Sequence, residues 1–247
     1  GNIEVSSSPE QDMMIYLDDE NTEKTTPATL KEVSSGEHRV ELQSQWYQPQ
    51  TKQVVVEDEQ TTEIEFRMTP AFANISIEAM PNARILIDGA QKATGKWSGR
   101  LMEGIYTIEA EKEKYYSEEQ QLEVTAGKDQ TLNFHLKGKT GSADIITTPM
   151  DALVYVNGKK KGASPLTLKD LLIGDYKLRL EKEGYGTVTR TLQIEEGNTQ
   201  TIKEDLPAGK EVTISSNPAG AKLYIDGKYV GLTPYTNTLS FGNYKIK

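Results

Sequence analysis

Between Tyr176 and Glu181 apolar and charged residues alternate without exception: Tyr176, Leu178 and Leu180 are separated by Lys177, Arg179 and Glu181. A period of two marks a strand with one dry face and one wet face. Tyr106, Ile108 and Ala110 repeat the pattern, as do Leu132, Phe134 and Leu136 around Asn133 and His135. Val40 and Leu42, then Ile64, Phe66 and Met68, follow it earlier in the chain. Residues 145–148 form another predicted strand, stopped by Pro149, and the β-rich stretch 152–156 ends at Asn157-Gly158. Both residues of that dipeptide tolerate positive φ, which predicts a tight hairpin turn. Pro165 fixes 164–168 as extended. Turns at Gly184-Tyr185-Gly186 and Glu196-Gly197-Asn198 lead into strands over 187–194 and 199–206. No segment of helical length carries an apolar stripe at 3.6 spacing. About six short strands closely punctuated by turns predict a small β-sandwich, with a partly open barrel as the alternative.

This unit recurs along the chain. Asp88-Gly89, Asn157-Gly158 and Asp226-Gly227 lie 69 residues apart, and Pro149 and Pro218 are separated by the same 69. Gly104, Gly174 and Gly242 are each followed two residues on by a tyrosine, Tyr106, Tyr176 and Tyr244; after Gly36 that slot holds His38. Tyr47, Tyr115 and Tyr185 each follow the glycine by eleven. Short connections containing Gly or Pro, such as Thr69-Pro70-Ala71 and Pro207-Ala208-Gly209, separate the copies. The 247 residues therefore divide into four tandem repeats at 1–72, 73–142, 143–209 and 210–247, the last incomplete. A repeat of this length can enclose a core, though a marginal one, so the expectation is repeated cores rather than one shared core. The Tyr106, Tyr176 and Tyr244 side chains are expected inside those cores. The alternating segment that opens at Gly242 stops at Lys247. A sandwich without its last strands exposes a sheet edge, so the natural chain is expected to run on by at least ~25 to 30 residues, the size a small domain needs. Gly1 is expected to stand where an export signal was removed.

Pro218-Ala219-Gly220-Ala221, then Leu223-Tyr224-Ile225-Asp226-Gly227, Gly231-Leu232-Thr233-Pro234 and Gly242-Asn243-Tyr244 resemble the PEGA domain, named for its Pro-Glu-Gly-Ala motif. The third repeat matches over its first half and adds Leu180-Glu181-Lys182-Glu183-Gly184-Tyr185. The second departs: its proline falls one position late in Met80-Pro81-Asn82-Ala83, and Gly95-Lys96 stands in place of Thr-Pro. The first has Pro9-Glu10-Gln11-Asp12 and Thr26-Pro27 but lacks the Asp-Gly turn. The resemblance implies an all-β array of sandwiches similar to transthyretin-like and carboxypeptidase-regulatory-like domains. It also implies an exported bacterial protein of the periplasm or cell surface, held to a membrane through a segment before Gly1 if anchored at all.

Composition narrows the chemistry. The net charge of −9 argues against nucleic acid and anionic membrane as partners. With no cysteine, there is no disulfide framework, thiolate zinc site or cysteine nucleophile. His38 lies on an inward strand position and His135 on an outward one, in different repeats, which predicts a structural histidine and a solvent-facing one. Asp18-Asp19-Glu20-Asn21 and Glu57-Asp58-Glu59 lack the spacing of a calcium loop and are expected to be solvated acidic turns. There is no phosphate-cradling Gly-rich motif. The expectation is therefore no catalytic residue, no cofactor and no bound metal.

Aromatic residues are the remaining candidates. Tyr16, Tyr155 and Tyr224 stand on the second strand with parity opposite to Val154/Val156 and Leu223/Ile225, and Leu86 fills that slot in the second repeat. An outward row of this kind packs under a loop or a neighbouring repeat, or offers platforms for a glycan. Trp46 and Trp97 fall outside the repeat pattern and are candidates for ligand contact or for packing across a junction. The reading reached is a non-catalytic spacer or interaction array. The alternatives are a module binding polysaccharide or peptidoglycan, or an accessory region of an enzyme; another envelope protein is a further candidate partner.

Overall fold

The computed structural model describes residues 1–247 and contains strands and turns but no helix. The first set of strands is β1 (Asn2–Ser8), β2 (Met14–Leu17), β3 (Glu20–Thr25), β4 (Ala28–Leu30), β5 (Gly36–Gln43), β6 (Gln50–Val56) and β7 (Thr61–Arg67). The second is β8 (Phe72–Met80), β9 (Arg84–Ile87), β10 (Ala90–Thr94), β11 (Lys96–Met102), β12 (Gly104–Glu111), β13 (Glu118–Val124) and β14 (Gln130–His135). The third is β15 (Thr140–Thr148), β16 (Leu153–Val156), β17 (Lys159–Ala163), β18 (Leu166–Leu172), β19 (Gly174–Glu181), β20 (Val188–Ile194) and β21 (Thr199–Asp205). Then come β22 (Gly209–Ile214), β23 (Lys222–Ile225), β24 (Lys228–Leu232) and β25 (Tyr235–Ser240).

One topology serves the first three sets. A three-stranded sheet, β4-β1-β7, faces a four-stranded sheet, β3-β2-β5-β6; β11-β8-β14 with β10-β9-β12-β13, and β18-β15-β21 with β17-β16-β19-β20, repeat it. The opening strand is central in its sheet, antiparallel to one neighbour and parallel to the closing strand, as in β1 with β4 and β7. In the last stretch β22 pairs with β25 and β23 with β24. There Lys247 and Tyr224 exchange backbone hydrogen bonds of 3.0 and 2.7 Å, which begins the pairing that β19 makes with β16.

The alternating residues fill the space between paired sheets. Ile145, Val154, Val156, Leu178, Leu180 and Leu192 are buried in one such core. Ile75, Ile77, Ile85, Ile108 and Phe134 are buried in the second set. The chain divides into two compact units, Gly1–Lys112 with Ser117–Leu136, and Glu113–Tyr116 with Lys137–Lys247. Within the first unit the separation of cores is incomplete. Phe72, on β8, belongs to the core of β1–β7, and Met102 packs against it.

The structure amends several sequence expectations. A largely exposed strand (β3, β10, β17, β24) follows each hairpin turn, which the alternation does not predict. It is a sheet edge with little to bury, so it carries no alternation, and each pairing contains a register shift of the β-bulge kind. The first hairpin has no Asp-Gly yet makes the same turn, because Asp18 and Asp19 take φ of 49° and 69°, close to 47° and 80° at Asn157 and Gly158. Tyr106, Tyr176 and Tyr244 are half-buried rather than buried. Their hydroxyls donate to the carbonyls of Met102, Leu172 and Ser240 at 3.1, 2.8 and 2.7 Å, each four residues back, and a buried phenol needs such a partner.

The five buried polar residues, Ser7, Thr26, Thr147, Ser164 and Thr233, serve one device. Thr147 donates its hydroxyl to the Pro149 carbonyl at 2.7 Å and pairs with the Ser164 hydroxyl, which accepts the Ala152 N–H at 3.1 Å. Ser7 with Thr26, and half-buried Ser216 with Thr233, repeat it at the start of their hairpins. The second set has Ala79 and Gly95 in these slots, and there the Ala83 N–H turns to the Ala79 carbonyl at 3.3 Å. A Cβ on Gly95 would sit 2.1 Å from Asn82 Oδ1, so the asparagine side chain occupies the space of the missing hydroxyl.

Candidate functional site

The tyrosines eleven residues after the glycine mark junctions. Tyr47, Tyr115 and Tyr185 form isolated bridges with Pro70, Gly138 and Ala208. The residue after each tyrosine donates its N–H to the connection: Gln48 to Thr69, Tyr116 to Lys137, Gly186 to Pro207, at 2.9, 2.9 and 2.7 Å. The residue before each tyrosine accepts one back, Trp46 from Ala71, Lys114 from Lys139 and Gly184 from Gly209, each at 2.9 or 2.8 Å. A third N–H, from Glu103, Ile173 or Phe241, closes on the carbonyl of Ala71, Lys139 or Ala208. The first junction lies inside the first unit and the other two inside the second. The sequence showed the spacing of these tyrosines; their role in joining stretches was not read from it.

Side chains reinforce the first junction. Trp46 and Tyr47 meet Phe72 edge-on, with ring centroids 5.8 and 5.6 Å apart. Arg100 lies over Phe72 at 4.3 Å and grips the Glu10 carboxylate with two nitrogens. That guanidinium holds the Glu10 carboxyl below its usual range, and burial foremost raises the Tyr47 phenol. Removing the clamp with Arg100→Ala is expected to raise hydrogen exchange at Ala71 and Glu103 while leaving Ile75 and Phe134 protected. Mass-spectrometric exchange on the whole chain checks this.

The other aromatic candidates are engaged singly. Tyr155 lies beneath the Arg179 guanidinium at 4.1 Å. Tyr224 packs against Tyr229 with centroids 5.5 Å apart. Tyr16 is half-buried between Asn21 and Glu41 in the strand register. Trp97 is folded over Gly99, where an added Cβ would be 2.5 Å from the indole. Trp46 therefore sits at a junction and Trp97 does not. Tyr16, Tyr155 and Tyr224 hold equivalent places on separate four-stranded or two-stranded sheets, and no two of the candidates touch.

His38 takes the slot of the corner tyrosines and part of their bonding. Its Nε2 is 3.0 Å from the Ser34 carbonyl, four residues back, and its Nδ1 is 2.7 Å from Asp18 Oδ2. Both ring nitrogens face acceptors, which favours the imidazolium. The Asp18 hydrogen bond is the main reason the His38 pKa is raised, against the opposing effect of burial. Asp18 is itself lowered, chiefly by the Arg39 backbone N–H and then by His38. A raised histidine pKa gives stability that is complete below the unfolded value, about 6.5, and is lost as pH rises through the folded value. The first set of strands is therefore expected to lose stability from pH 6 towards pH 8, and His38→Tyr to remove that slope; thermal unfolding of both chains across the range checks it. His135 is exposed. No three histidine, aspartate or glutamate side chains converge as a metal would need, and no helix is long and apolar enough to cross a membrane.

Comparison with known proteins gives one family match. The model described as PEGA domain matches residues 1–71, 140–210 and 209–247. The unmatched stretch contains Ala79 and Gly95, the strand set without the paired hydroxyls. No curated protein matches the chain. Among solved structures, the Bacillus anthracis TIE protein is 17% identical with a TM-score of 0.43, over 83% of this chain and 49% of that one. This chain thus spans about half the length of that protein. A Streptococcal ancillary pilin is 11% identical with a TM-score of 0.35, over 83% of this chain and 98% of that one. The Bacteroides ovatus mixed-linkage glucan utilization locus protein SGBP-B, solved with a mixed-linkage heptasaccharide, is 10% identical with a TM-score of 0.16, over 99% and 87%.

Proposed function

We propose that this chain, which belongs to the PEGA domain family, is a non-catalytic array that spaces or presents other parts of an exported bacterial envelope or surface protein. The repeats of the array are 1–72, 73–142, 143–209 and 210–247. The observation carrying this reading is the junction: the same backbone bonding joins successive stretches at Tyr47, Tyr115 and Tyr185. The recurring polar groups are likewise spent inside the fold, in the hydroxyl pairs and the tyrosine corners. A binding site would instead keep converging polar groups free for a ligand. The aromatic residues meet intramolecular partners one by one, which supports a packing role over a shared sugar platform.

The test is a glycan array with a parallel peptidoglycan pull-down, using the whole chain. No retention on either is expected. Specific retention that Tyr155→Ala or Trp97→Ala abolishes would replace the spacer reading with that of a carbohydrate-binding module.

A further inference from the structure

The modest net charge of the chain conceals two opposed halves. The first unit holds 24 acidic and 11 basic side chains, a net of −13, and the second holds 13 and 17, a net of +4. The reversal is visible at equivalent positions on the outer face of the four-stranded sheets and of the two-stranded β23-β24. Opposite Tyr16 stands Glu41, and opposite Leu86 stands Glu109. Opposite Tyr155 stands Arg179, and Lys247 meets Tyr224. The row through Leu86 continues on β13 as Glu119, whereas the row through Tyr155 begins on β17 with Lys160. Lys177, two residues from Arg179, shares its face.

Solubility alone does not account for this placement. Lysine on the edge strand β17 discourages strand pairing, but Lys177 and Arg179 lie on β19 and Glu109 on β12, both interior strands. Arg179 already pairs with Glu181. Lys160, Lys177, Glu109 and Glu119 have no such partner among the ion pairs. The acidic face also carries Ile105, 72% exposed beside Glu123. An isoleucine this bare on an ordered strand is suited to being covered.

We propose that the outer face of the β17-β16-β19-β20 sheet docks on the outer face of the β10-β9-β12-β13 sheet of a second copy of this chain. Lys160 and Lys177 meet Glu109 and Glu119, and Ile105 is covered. The contact is heterologous, so a docked pair keeps one free face of each sign. This identifies a partner for the interaction array proposed above and rests on that reading.

Sedimentation of the whole chain tests it with two exposed-face variants, Lys160→Glu/Lys177→Glu and Glu109→Lys/Glu119→Lys. At about 10 mM salt, where the screening length is about 30 Å, the unmodified chain associates as its concentration rises; at about 1 M, where that length is about 3 Å, it does not. Each variant alone remains monomeric in low salt, because its two faces carry like charge, and an equal mixture of the two associates, because the acidic faces of one meet the basic faces of the other. A monomeric unmodified chain in low salt, or a mixture that does not associate, overturns the proposal. Retention of a monomeric chain on a polyphosphate resin, lost with Lys160→Glu/Lys177→Glu, would assign the basic face to a polyanion and also overturns it. A monomer that binds no glycan sinks only this docking and leaves the spacer reading standing.

Discussion

Leu178→Ala is expected to cost about 2–5 kcal/mol, the range for a fully buried leucine whose cavity relaxes only in part. Leu178 has no exposed surface, and its core is drawn from residues between Ala143 and Leu206. The loss should therefore fall on β15–β21. Hydrogen exchange resolved along the chain checks this: amides of Ile145, Val154 and Leu192 should lose protection, while those of Ile3, Val40 and Phe66 keep theirs. A domain of this size has little stability to spare, so the substitution should populate a local opening. Equal loss of protection along the whole chain would mean that the cores are energetically one. Phe66→Ala makes the contrasting case. Its core includes Phe72 and contacts Met102, so its effect, about 3–5 kcal/mol, should spread into β8 and β11.

Ser164→Ala is the second large effect, about 1–3 kcal/mol, although it removes a single oxygen. That oxygen accepts the Ala152 N–H and pairs with the Thr147 hydroxyl in a site closed to water. Its loss leaves the N–H without its acceptor, and an unpaired buried group costs more than the bond itself contributes. The second set of strands shows what a compensated version needs. There the N–H of Ala83 finds the Ala79 carbonyl, and Asn82 fills the space over Gly95. In the third set Asp151 precedes Ala152 as Asn82 precedes Ala83, but it is exposed, with its backbone N–H bonded to the Ser164 carbonyl at 2.7 Å. Ser164→Thr keeps the hydroxyl, as Thr26 and Thr233 do in their hairpins, and is expected to retain most of the stability in the same melting experiment.

What the sequence disclosed follows the physics of each element. Half-buried strands announce themselves by alternation, and β12, β19 and β14 were legible for that reason. The arms β3, β10, β17 and β24 bury almost nothing and left no such trace. Asp18-Asp19 was legible as an acidic turn, but its equivalence to Asn157-Gly158 was hidden because it uses no glycine, although the geometry matches. Thr26-Pro27, Ser164-Pro165 and Thr233-Pro234 were visible as motifs, but their partners Ser7, Thr147 and Ser216 lie 17 to 19 residues away across the sandwich. Only folding shows which hydroxyls meet. The opposed charges were countable all along; a net of −9 averaged them away.

The junctions are bonded through the main chain, and this bears on how such a protein changes over time. Pro70, Gly138 and Ala208 occupy one place in three junctions, and Trp46, Lys114 and Gly184 occupy another, with little chemistry in common. Amide groups are indifferent to which side chains accompany them, so mutation can drift at these two places without undoing the fit. A duplicated segment brings with it the donor and acceptor that its neighbours require. Recombination between repeats can therefore lengthen or shorten the gene one segment at a time, and each product folds against its neighbour without a newly evolved interface.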